Sequence, residues 1–374
     1  MIHILHFGLS TNKGGIETYL RKIWNNIDRS KFHFSFLDMT GEGNVPCFYE
    51  ELKNNGCDFY KITPRSISPR KNRAELEALF REQHFDILHF HVNTLSYITP
   101  VLVALKHGCR VIVHSRSAGS SKRLITRILH HTNKVLLRQA DITRIGVSKL
   151  ATDWLFGSDM PSAVYNNGID IDRFRFCEMD RTMIRKELGC ENQLVIGHVG
   201  AFLPAKNHRF VVDVFSRICT YRQDAVLWLV GQGPERQAVE RYVKENGLCD
   251  NVCFLGSREN MPQVYAGMDV FILPSLFEGF PNAMLEAQCT GLPCLQSNCI
   301  TKEVLIADNA TNFSLAETAD VWADMLLTVA QHQYADRQLG ALCVENAGFS
   351  VRQEILRIEK LYKNVVSRKI EVDA

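Results

Sequence analysis

Short apolar runs alternate with longer amphipathic segments along the first half of the chain. The apolar runs that predict strands are Ile2–Phe7, Phe32–Leu37, Ile87–His91, Val111–His114, Ile142–Val147 and Ala163–Tyr165. Segments with helical spacing lie between them, for example Ile16–Ile27, Arg73–Gln83 and Lys122–Arg138. This repeated alternation predicts an α/β fold, in which a parallel sheet is covered by helices on both faces.

A second strand–helix series follows a polar segment near residues 170–185, which has no clear period and therefore suits a linker between two domains. Its strand-like runs are Leu194–Val199, Val226–Val230, Val252–Leu255, Val270–Leu273 and Cys294–Gln296. A chain of 374 residues suits two domains. We therefore predict two Rossmann-like domains, at residues 1–175 and 176–349, with a terminal helix at residues 350–366 for which Ser350 is a candidate N-cap.

Composition narrows the class of protein. Hydrophobic residues make up 46% and charged residues 22%, as in soluble globular proteins. A net charge of +2 gives no support for nucleic-acid binding. Residues 1–180 carry 24 Lys and Arg against 18 Asp and Glu, a net +6, so the remainder is −4. Opposite charges on the two halves suggest two partners of different character.

The cysteines and the N-terminus indicate a cytoplasmic protein. The twelve Cys form no paired framework, and Cys249 with Cys253 has no second ligand pair that would suggest zinc. We interpret them as reduced thiols. The apolar run at residues 1–10 is too short to span a membrane and lacks the layout of a signal peptide, so it predicts a first buried strand.

Two carboxylates flank a predicted helix start. Glu278 and Glu286 are separated by Gly-Phe-Pro-Asn-Ala-Met-Leu. Pro281 suits the first turn of a helix, and Gly291 before Pro293 suits its end. Backbone N–H groups at a helix start favour phosphate, and the carboxylates can accept hydrogen bonds from hydroxyls. The segment therefore indicates a nucleotide-sugar site; the alternative is a solvated helix start with an exposed Glu at each end.

In this setting the two Glu residues resemble the E-x7-E region of retaining glycosyltransferases of family 4. The resemblance covers residues 8–365 and is closest to bacterial members that build capsular or exopolysaccharide units. It rests further on Gly-Gly-Ile-Glu-Thr, Val-Ile-Val-His-Ser, Gly-Val-Ser, Asn-Gly-Ile-Asp and Gly-Leu-Pro, at residues 14–18, 111–115, 146–148, 167–170 and 291–293. It implies the GT-B fold, with two Rossmann-like domains whose parallel sheets face each other across a cleft. The first domain would bind the acceptor and the second the nucleotide-sugar, and the terminal helix at residues 350–366 would pack back onto the first domain.

The resemblance also implies roles for individual residues. Glu278 would hold the sugar and Glu286 the ribose, and His114, at a strand end, would face the donor sugar. For His114 the alternative is a packed wall residue. Further donor contacts are implied for the two glycines of the first loop, for one residue of the base-binding loop and for the helix start, namely Gly14, Gly15, Arg258, Gly279, Phe280, Pro281, Asn282 and Ala283. For the Gly-Gly loop the alternative is a plain turn between strand and helix.

One element departs from the family pattern. In Gly-His-Val-Gly-Ala-Phe-Leu-Pro-Ala-Lys-Asn, Lys206 matches the lysine that neutralises the diphosphate, but Ala201 stands where an Arg is usual. Arg116, Arg209 or Arg258 would have to substitute. The Gly-x-Gly at residues 231–233 is too short a fingerprint to indicate NAD.

A basic helix is predicted over residues 122–138. Arg123, Arg127, His130, Lys134 and Arg138 share one face, and a Leu/Ile/Val stripe forms the other. The hypothesis is that the apolar stripe packs on the sheet and the basic face contacts anionic membrane. The alternative is an ordinary solvated helix.

Taken together, the resemblance implies a metal-independent retaining hexosyltransferase without a cofactor. It would use a nucleotide-sugar, expected to be a UDP-sugar, and a glycan or polyprenyl-diphosphate-linked acceptor, in the cytoplasm or on the cytoplasmic face of the membrane. His89 and His91 share one strand face, but we expect no metal there. Two alternatives remain open: a non-catalytic nucleotide-sugar binder, and a UDP-sugar 2-epimerase with the same fold.

Overall fold

The computed structural model describes residues 1–119, 124–331 and 336–367. It divides into two compact units. Unit 1 comprises residues 1–167 and the C-terminal segment that begins at Arg352, and unit 2 comprises Gly168–Val351. Among the described helices, none combines the length and the hydropathy needed to cross a bilayer.

Unit 1 is built on a parallel sheet, as the strand–helix alternation predicts. In the described part of the chain its strands are β1 Ile2–Phe7, β2 Phe32–Asp38, β3 Asp58–Lys61, β4 Ile87–Val92, β5 Arg110–Ser115, β6 Thr143–Gly146 and β7 Ala163–Val164. Their order is β3-β2-β1-β4-β5-β6-β7, and every pairing is parallel. The helices between them are α1 Gly15–Asn26, α2 Tyr49–Asn54, α3 Pro69–Glu82, α4 Thr99–Lys106, α5 Leu124–Leu136 and α6 Lys149–Phe156.

Unit 2 repeats the plan. Its described strands are β8 Leu194–Val199, β9 Ala225–Val230, β10 Val252–Gly256, β11 Val270–Leu273, β12 Cys294–Ser297 and β13 Ala310–Phe313, in the parallel order β10-β9-β8-β11-β12-β13. Its helices are α7 Ile171–Phe174, α8 Glu178–Glu187, α9 His208–Tyr221, α10 Arg236–Glu245, α11 Met261–Gly267, α12 Asn282–Cys289, α13 Ala319–Gln331 and α14 Leu339–Asn346. The carboxyl ends of its strands lie at one edge, where open α/β sheets bind ligands.

The boundary between the units lies at Asn167–Gly168, eight residues before the predicted position at 175–176. The reason is that the first residues of the polar segment pack into unit 2. Ile169 pairs with the chain beside Ser350, and the hydroxyl of Thr290 donates to the carbonyl of Phe174 at 3.1 Å. A polar sequence here therefore forms part of a domain rather than a linker.

The last helix, α15 Val351–Ser367, belongs to unit 1 from Arg352 onward. Tyr362 is 1% exposed, and its hydroxyl lies 2.8 Å from Nδ1 of His89 in β4. Glu354 is 2% exposed and pairs with Lys22 of α1 at 2.5 Å. A buried phenol and a buried carboxylate thus fix this helix through specific polar contacts as well as through its apolar face.

Buried charge organises unit 2. Asp269, between α11 and β11, accepts a hydrogen bond from Arg181 at 2.6 Å and pairs with Arg185, which is 5% exposed. Its other contact is with β8, because its carboxylate accepts the backbone N–H of Val195 and its own N–H donates to the Val195 carbonyl, both at 2.8 Å. One carboxylate therefore joins two arginines of α8 to the centre of the sheet.

We expect Asp269→Asn to lower the free energy of unfolding of unit 2 by about 3–5 kcal/mol, because it leaves the guanidinium of Arg185 buried without its counter-charge. Urea unfolding measures the loss. The control is Asp224→Asn, whose carboxylate pairs with Arg222 but is 48% exposed, and which should cost less than about 1 kcal/mol. Equal losses in the two variants would contradict this account.

Candidate functional site

The turn before α12 brings Lys206 and Glu278 together. Lys206 ends a short 3-10 turn after β8, and its Nζ lies 2.5 Å from Oε1 of Glu278. The hydroxyl of Ser275, just after β11, donates to the same oxygen at 2.8 Å. The loops are also tied by a backbone bond from Leu276 N–H to the Ala205 carbonyl at 2.8 Å. Two predicted site residues that are 72 positions apart thus form an ion pair at the carboxyl ends of neighbouring strands.

The Gly-x-Gly after β9 supports this loop. Gly231 has a φ of +141°, and a Cβ there would lie 2.1 Å from the Gly200 carbonyl oxygen. A Cβ on Gly233 would lie 2.7 Å from the backbone nitrogen of Phe202. The two glycines therefore allow one loop backbone to lie directly on another, which is the role they take here in place of a dinucleotide fingerprint.

Helix α12 begins one residue later than the sequence suggests. Pro281 is its N-cap, and Asn282 is the first helical residue, with its N–H bonded to the Phe280 carbonyl at 3.0 Å. Phe280 is 7% exposed and stacks on Phe349 at 5.7 Å. The aromatic contact anchors the turn. The helix ends at Cys289 with Thr290 as its C-cap, and Gly291 follows with a φ of +71°, so the predicted stop signal is confirmed.

The second carboxylate of the segment lies one helical turn further on. Glu286 is half-buried in α12, and its Oε2 accepts a hydrogen bond from the hydroxyl of Tyr265 at 2.8 Å. Tyr265, in α11, is 0% exposed. Burial and the nearby Glu286 raise the pKa of this phenol well above its usual value, so it remains a donor at neutral pH.

The arginines proposed to replace the cation missing at Ala201 are engaged elsewhere. Arg209 stacks on the ring of Tyr242 at 4.4 Å. Arg258 follows β10 and pairs with Glu187 at 3.0 Å. Both side chains are thus engaged within unit 2, since Arg258 also donates to the carbonyl of Leu255 at 3.3 Å, and the donor-binding role of Arg258 stays a prediction.

In unit 1, the loop with Gly14 and Gly15 joins β1 to α1. Gly14 is the N-cap of α1, without a side-chain capping bond. Glu17, in the first turn, is 5% exposed and accepts the hydroxyl of Ser10 at 2.6 Å and its N–H at 3.1 Å. The buried carboxylate folds the loop onto its own helix, so Glu17 is a loop-positioning residue that the Gly-Gly pattern alone does not identify.

His114 lies in a cluster of histidines on one face of the unit 1 sheet. It is opposite His91 in the parallel register and is 0% exposed. Its Nε2 accepts a hydrogen bond from Arg116 at 3.2 Å, so its Nδ1 donates to His89 at 3.1 Å. Burial and the cation at Arg116 hold the pKa of His114 well below its usual value. The predicted contact with the donor sugar stays a prediction, since both ring nitrogens are engaged inside unit 1.

Three members of this cluster have a spacing that metal sites use. Ring nitrogens of His6, His89 and His91 lie within 4.8 Å of one another. A histidine ligand usually donates its second nitrogen to an oxygen acceptor. Nε2 of His6 and Nδ1 of His91 have no hydrogen-bond partner among the described residues. Two of the three histidines therefore lack the outer hydrogen bond that orients a metal-binding histidine, and only His89 has one, to the hydroxyl of Tyr362.

The prediction for the basic helix was wrong about which face meets the sheet. In α5, His130 is 7% exposed, and it accepts the backbone N–H of Leu95 at 3.0 Å. Asn133 donates to the Leu95 carbonyl at 2.6 Å, and Lys134 donates to the Trp154 carbonyl at 3.2 Å. The polar side of α5 therefore packs against the rest of unit 1, because its side chains satisfy backbone hydrogen-bonding groups of Leu95 and Trp154.

The apolar stripe of α5 consequently faces solvent. Its exposed side chains are Leu124 (69%), Ile125 (73%), Ile128 (53%), Leu129 (36%), Val135 (59%) and Leu136 (57%). Arg127 and Arg138 are exposed beside them, and Arg138 pairs with Asp159. Arg123 of the predicted basic face lies outside the described residues, as does Lys122, where the helix was predicted to begin. We call the six side chains the apolar face of α5.

Comparison with protein families finds a match within unit 2. The family Glycosyl transferases group 1 matches residues 193–332. The putative glycosyltransferase EpsF of Bacillus subtilis (strain 168) is 27% identical, over 98% of this chain and 97% of that protein. The UDP-Gal:alpha-D-GlcNAc-diphosphoundecaprenol alpha-1,3-galactosyltransferase of Escherichia coli is 26% identical, over 81% of each chain.

Solved structures agree on the fold. Anabaena Alr3699/HepE in complex with UDP-glucose has a TM-score of 0.79 and 17% identity, covering 97% of this chain and all of that one. The glycosyltransferase WaaG, involved in lipopolysaccharide biosynthesis, has a TM-score of 0.70 and 16% identity over 97% of this chain. The two parallel sheets of 7 and 6 strands in the described residues are those of the GT-B fold, as the sequence resemblance implied.

Buried imidazoles near the site predict acid sensitivity. His208, at the start of α9, stacks on Phe202 at 4.0 Å, and burial with the nearby Lys206 lowers its pKa to about 4. The unfolded chain takes up this proton near pH 6.5, before the folded chain does. The stability contributed by the neutral ring is therefore present above pH 6.5 and is lost as pH falls towards 4.

We expect His208→Phe, which keeps the aromatic stack, to reduce the fall in unfolding free energy between pH 6.5 and 4 by up to about 1.4 kcal/mol per pH unit. Urea unfolding at pH 7.5 and pH 5 measures it. At pH 7.5 the His208 ring is neutral in both the folded and the unfolded chain, so the difference in stability between variant and wild type at that pH reports packing. If the unfolding free energies of variant and wild type fall equally between pH 7.5 and pH 5, a group other than His208 is responsible for the acid sensitivity.

Proposed function

We propose that this chain, which has the GT-B fold and matches the family Glycosyl transferases group 1 over residues 193–332, transfers a sugar from a UDP-sugar to a glycan or lipid-linked acceptor in bacterial surface-polysaccharide synthesis. The observation that carries the proposal is the Lys206–Glu278 ion pair at the carboxyl edge of the unit 2 sheet, beside the start of α12. It places an ammonium and a carboxylate where a diphosphate and a sugar would need them.

The ion pair supplies complementary groups for the two parts of a donor. Lys206 would turn from Glu278 to the diphosphate, as its charge matches that of the phosphate oxygens. Glu278, held by the hydroxyl of Ser275 at 2.8 Å, would accept hydrogen bonds from the sugar hydroxyls. The start of α12, at Asn282, would add its positive dipole end. In this account Glu286 accepts the ribose hydroxyls.

The reaction we propose retains configuration at the anomeric carbon and needs no protein nucleophile. The bond from the anomeric carbon to the diphosphate oxygen breaks, and the acceptor oxygen bonds to the same face. The acceptor proton passes to the departing diphosphate. Negative charge grows on that group in the transition state, so Lys206 stabilises it more there than in the bound donor.

The relatives support UDP and a lipid-linked acceptor as the first substrates to test. The galactosyltransferase from Escherichia coli is named for a UDP-sugar and a diphosphoundecaprenol acceptor, and HepE was solved with UDP-glucose. Free thiols at all twelve cysteines suit the reducing cytoplasm, where we propose that the protein acts.

We expect UDP and at least one UDP-sugar to raise the melting temperature, and Lys206→Ala to lower kcat by about 10²–10³-fold with a smaller change in donor affinity. UDP release with a synthetic polyprenyl-diphosphate-sugar acceptor measures turnover. The control is Lys244→Ala, which removes an exposed lysine of α10 in the same unit. Unchanged kcat in the Lys206 variant would sink the assignment.

The same assays separate the alternatives. Donor binding without turnover on any acceptor would favour a non-catalytic binder. UDP release without acceptor, together with an epimerised sugar, would favour a 2-epimerase. If no UDP-sugar raises the melting temperature, the choice of donor is wrong.

We also propose that the apolar face of α5 rests on an anionic membrane. Six exposed apolar side chains on one 13-residue helix would gain by leaving water, and the neighbouring Arg127 and Arg138 suit anionic headgroups. This replaces the hypothesis that the basic face alone makes the contact. The protein would then bind a lipid-linked acceptor at the membrane surface in which the lipid is anchored.

We expect Leu124→Ser with Ile128→Ser to weaken sedimentation with phosphatidylglycerol-containing vesicles by about tenfold or more, because two apolar side chains no longer leave water. The control is Met179→Ser with Met183→Ser on α8. Those residues have the same spacing and are 70% and 57% exposed, against 69% and 53%. Raised salt should also release the wild type.

Two outcomes would overturn the membrane proposal. One is vesicle binding that the Leu124/Ile128 variant retains. The other is a wild-type dimer in analytical ultracentrifugation that the same variant dissolves, since the apolar face would then join two copies of the chain.

A further inference from the structure

A buried phenol contacts the carboxylate that the proposed function assigns to the ribose. The hydroxyl of Tyr265 donates to Oε2 of Glu286 at 2.8 Å. Tyr265 is fully buried, between the rings of Phe174 at 6.0 Å and Phe271 at 5.9 Å. The hydroxyl of Tyr265 therefore lies inside the core of unit 2, and of the two bonded residues only Glu286 is partly exposed.

Tyr265 is itself held by charged groups at the end of α11. Arg337 donates to the Tyr265 carbonyl at 3.3 Å, and Arg185 donates to the Gly267 carbonyl at 2.8 Å. Arg181 reaches the same Gly267 carbonyl at 3.4 Å. Cations at a helix C-terminus satisfy its unpaired carbonyls and its dipole. The phenol thus has little freedom to follow a moving carboxylate.

We propose that Tyr265 is a positioning residue for donor binding, which holds the Glu286 carboxylate in the orientation that meets the ribose. The inference rests on the ribose role given to Glu286 in the proposed function. A partly exposed glutamate side chain on a helix has several rotamers, and fixing one of them before the donor arrives removes an ordering cost from binding. The bond is also charge-assisted, so it competes well with water.

A positioning role makes a specific demand on nucleotide selectivity. If Tyr265 orients Glu286 towards the ribose hydroxyls, loss of the phenol should weaken the binding of ribonucleotides more than the binding of their deoxy analogues. A residue that merely supports packing would affect all nucleotides alike. The effect should also fall on KM for the donor rather than on kcat, because the ribose does not change during the reaction.

The test is Tyr265→Phe, which keeps the ring and removes only the hydroxyl. We expect UDP to bind about three- to tenfold more weakly, with a similar loss of preference for UDP over 2′-deoxy-UDP and 3′-deoxy-UDP. The kcat at saturating UDP-sugar should change less than about twofold. Isothermal titration with the three nucleotides gives the affinities.

The matched control is Tyr242→Phe. Tyr242, on α10, also donates its hydroxyl to a carboxylate, that of Asp213 on α9, at 2.5 Å. Its removal should leave both UDP affinity and the preference over deoxy analogues unchanged. Melting temperatures of both variants separate lost stability from lost positioning.

A double-mutant comparison with Glu286→Ala separates this inference from the proposed function. If Glu286→Ala leaves UDP affinity unchanged, the ribose role fails. If Glu286→Ala weakens UDP but Tyr265→Phe leaves the preference over deoxy analogues intact, only the positioning role fails. Supporting data would show that the double variant binds UDP no more weakly than Glu286→Ala alone; additive losses would overturn the inference.

Discussion

The buried carboxylate of Asp269 is the constraint on which unit 2 depends. A charge removed from water is tolerated only when it is paired and hydrogen-bonded, so Arg181, Arg185 and the N–H of Val195 must be in place together. These partners come from α8 and from β8. Meeting the requirement of one carboxylate therefore sets the position of a helix and the register of the central strands at once.

The buried charge of Asp269 also constrains the candidate site, through two short connections. Strand β11 begins directly after Asp269 and has only four residues, roughly 13 Å, before the turn that carries Ser275 and Glu278. The arginines that neutralise Asp269 also hold the last carbonyls of α11, where Tyr265 reaches Glu286. The positions of Glu278 and Glu286 therefore both depend on the buried charge of Asp269, which makes the site rigid.

Much of this arrangement was predictable from the sequence, and the exceptions have physical causes. Apolar runs identified the buried strands, and parallel topology explains why Lys206 and Glu278 meet although 72 positions separate them. The edge strands β3 and β13 were missed because their residues are not fully buried, so they need no apolar pattern. Tyr265 and Ser275 carry no motif; only the packing of α11 and the turn after β11 brings them to the carboxylates.

Helix α5 shows why an amphipathic pattern leaves its orientation open. The pattern predicts two faces but does not say which one meets the protein. Here the backbone groups of Leu95 required hydrogen bonds, and His130 and Asn133 supply them. An unpaired buried N–H or carbonyl costs about as much as several exposed methylene groups, so the polar face is the better partner for that surface. The exposure of the apolar face is therefore a consequence of satisfying the backbone of Leu95.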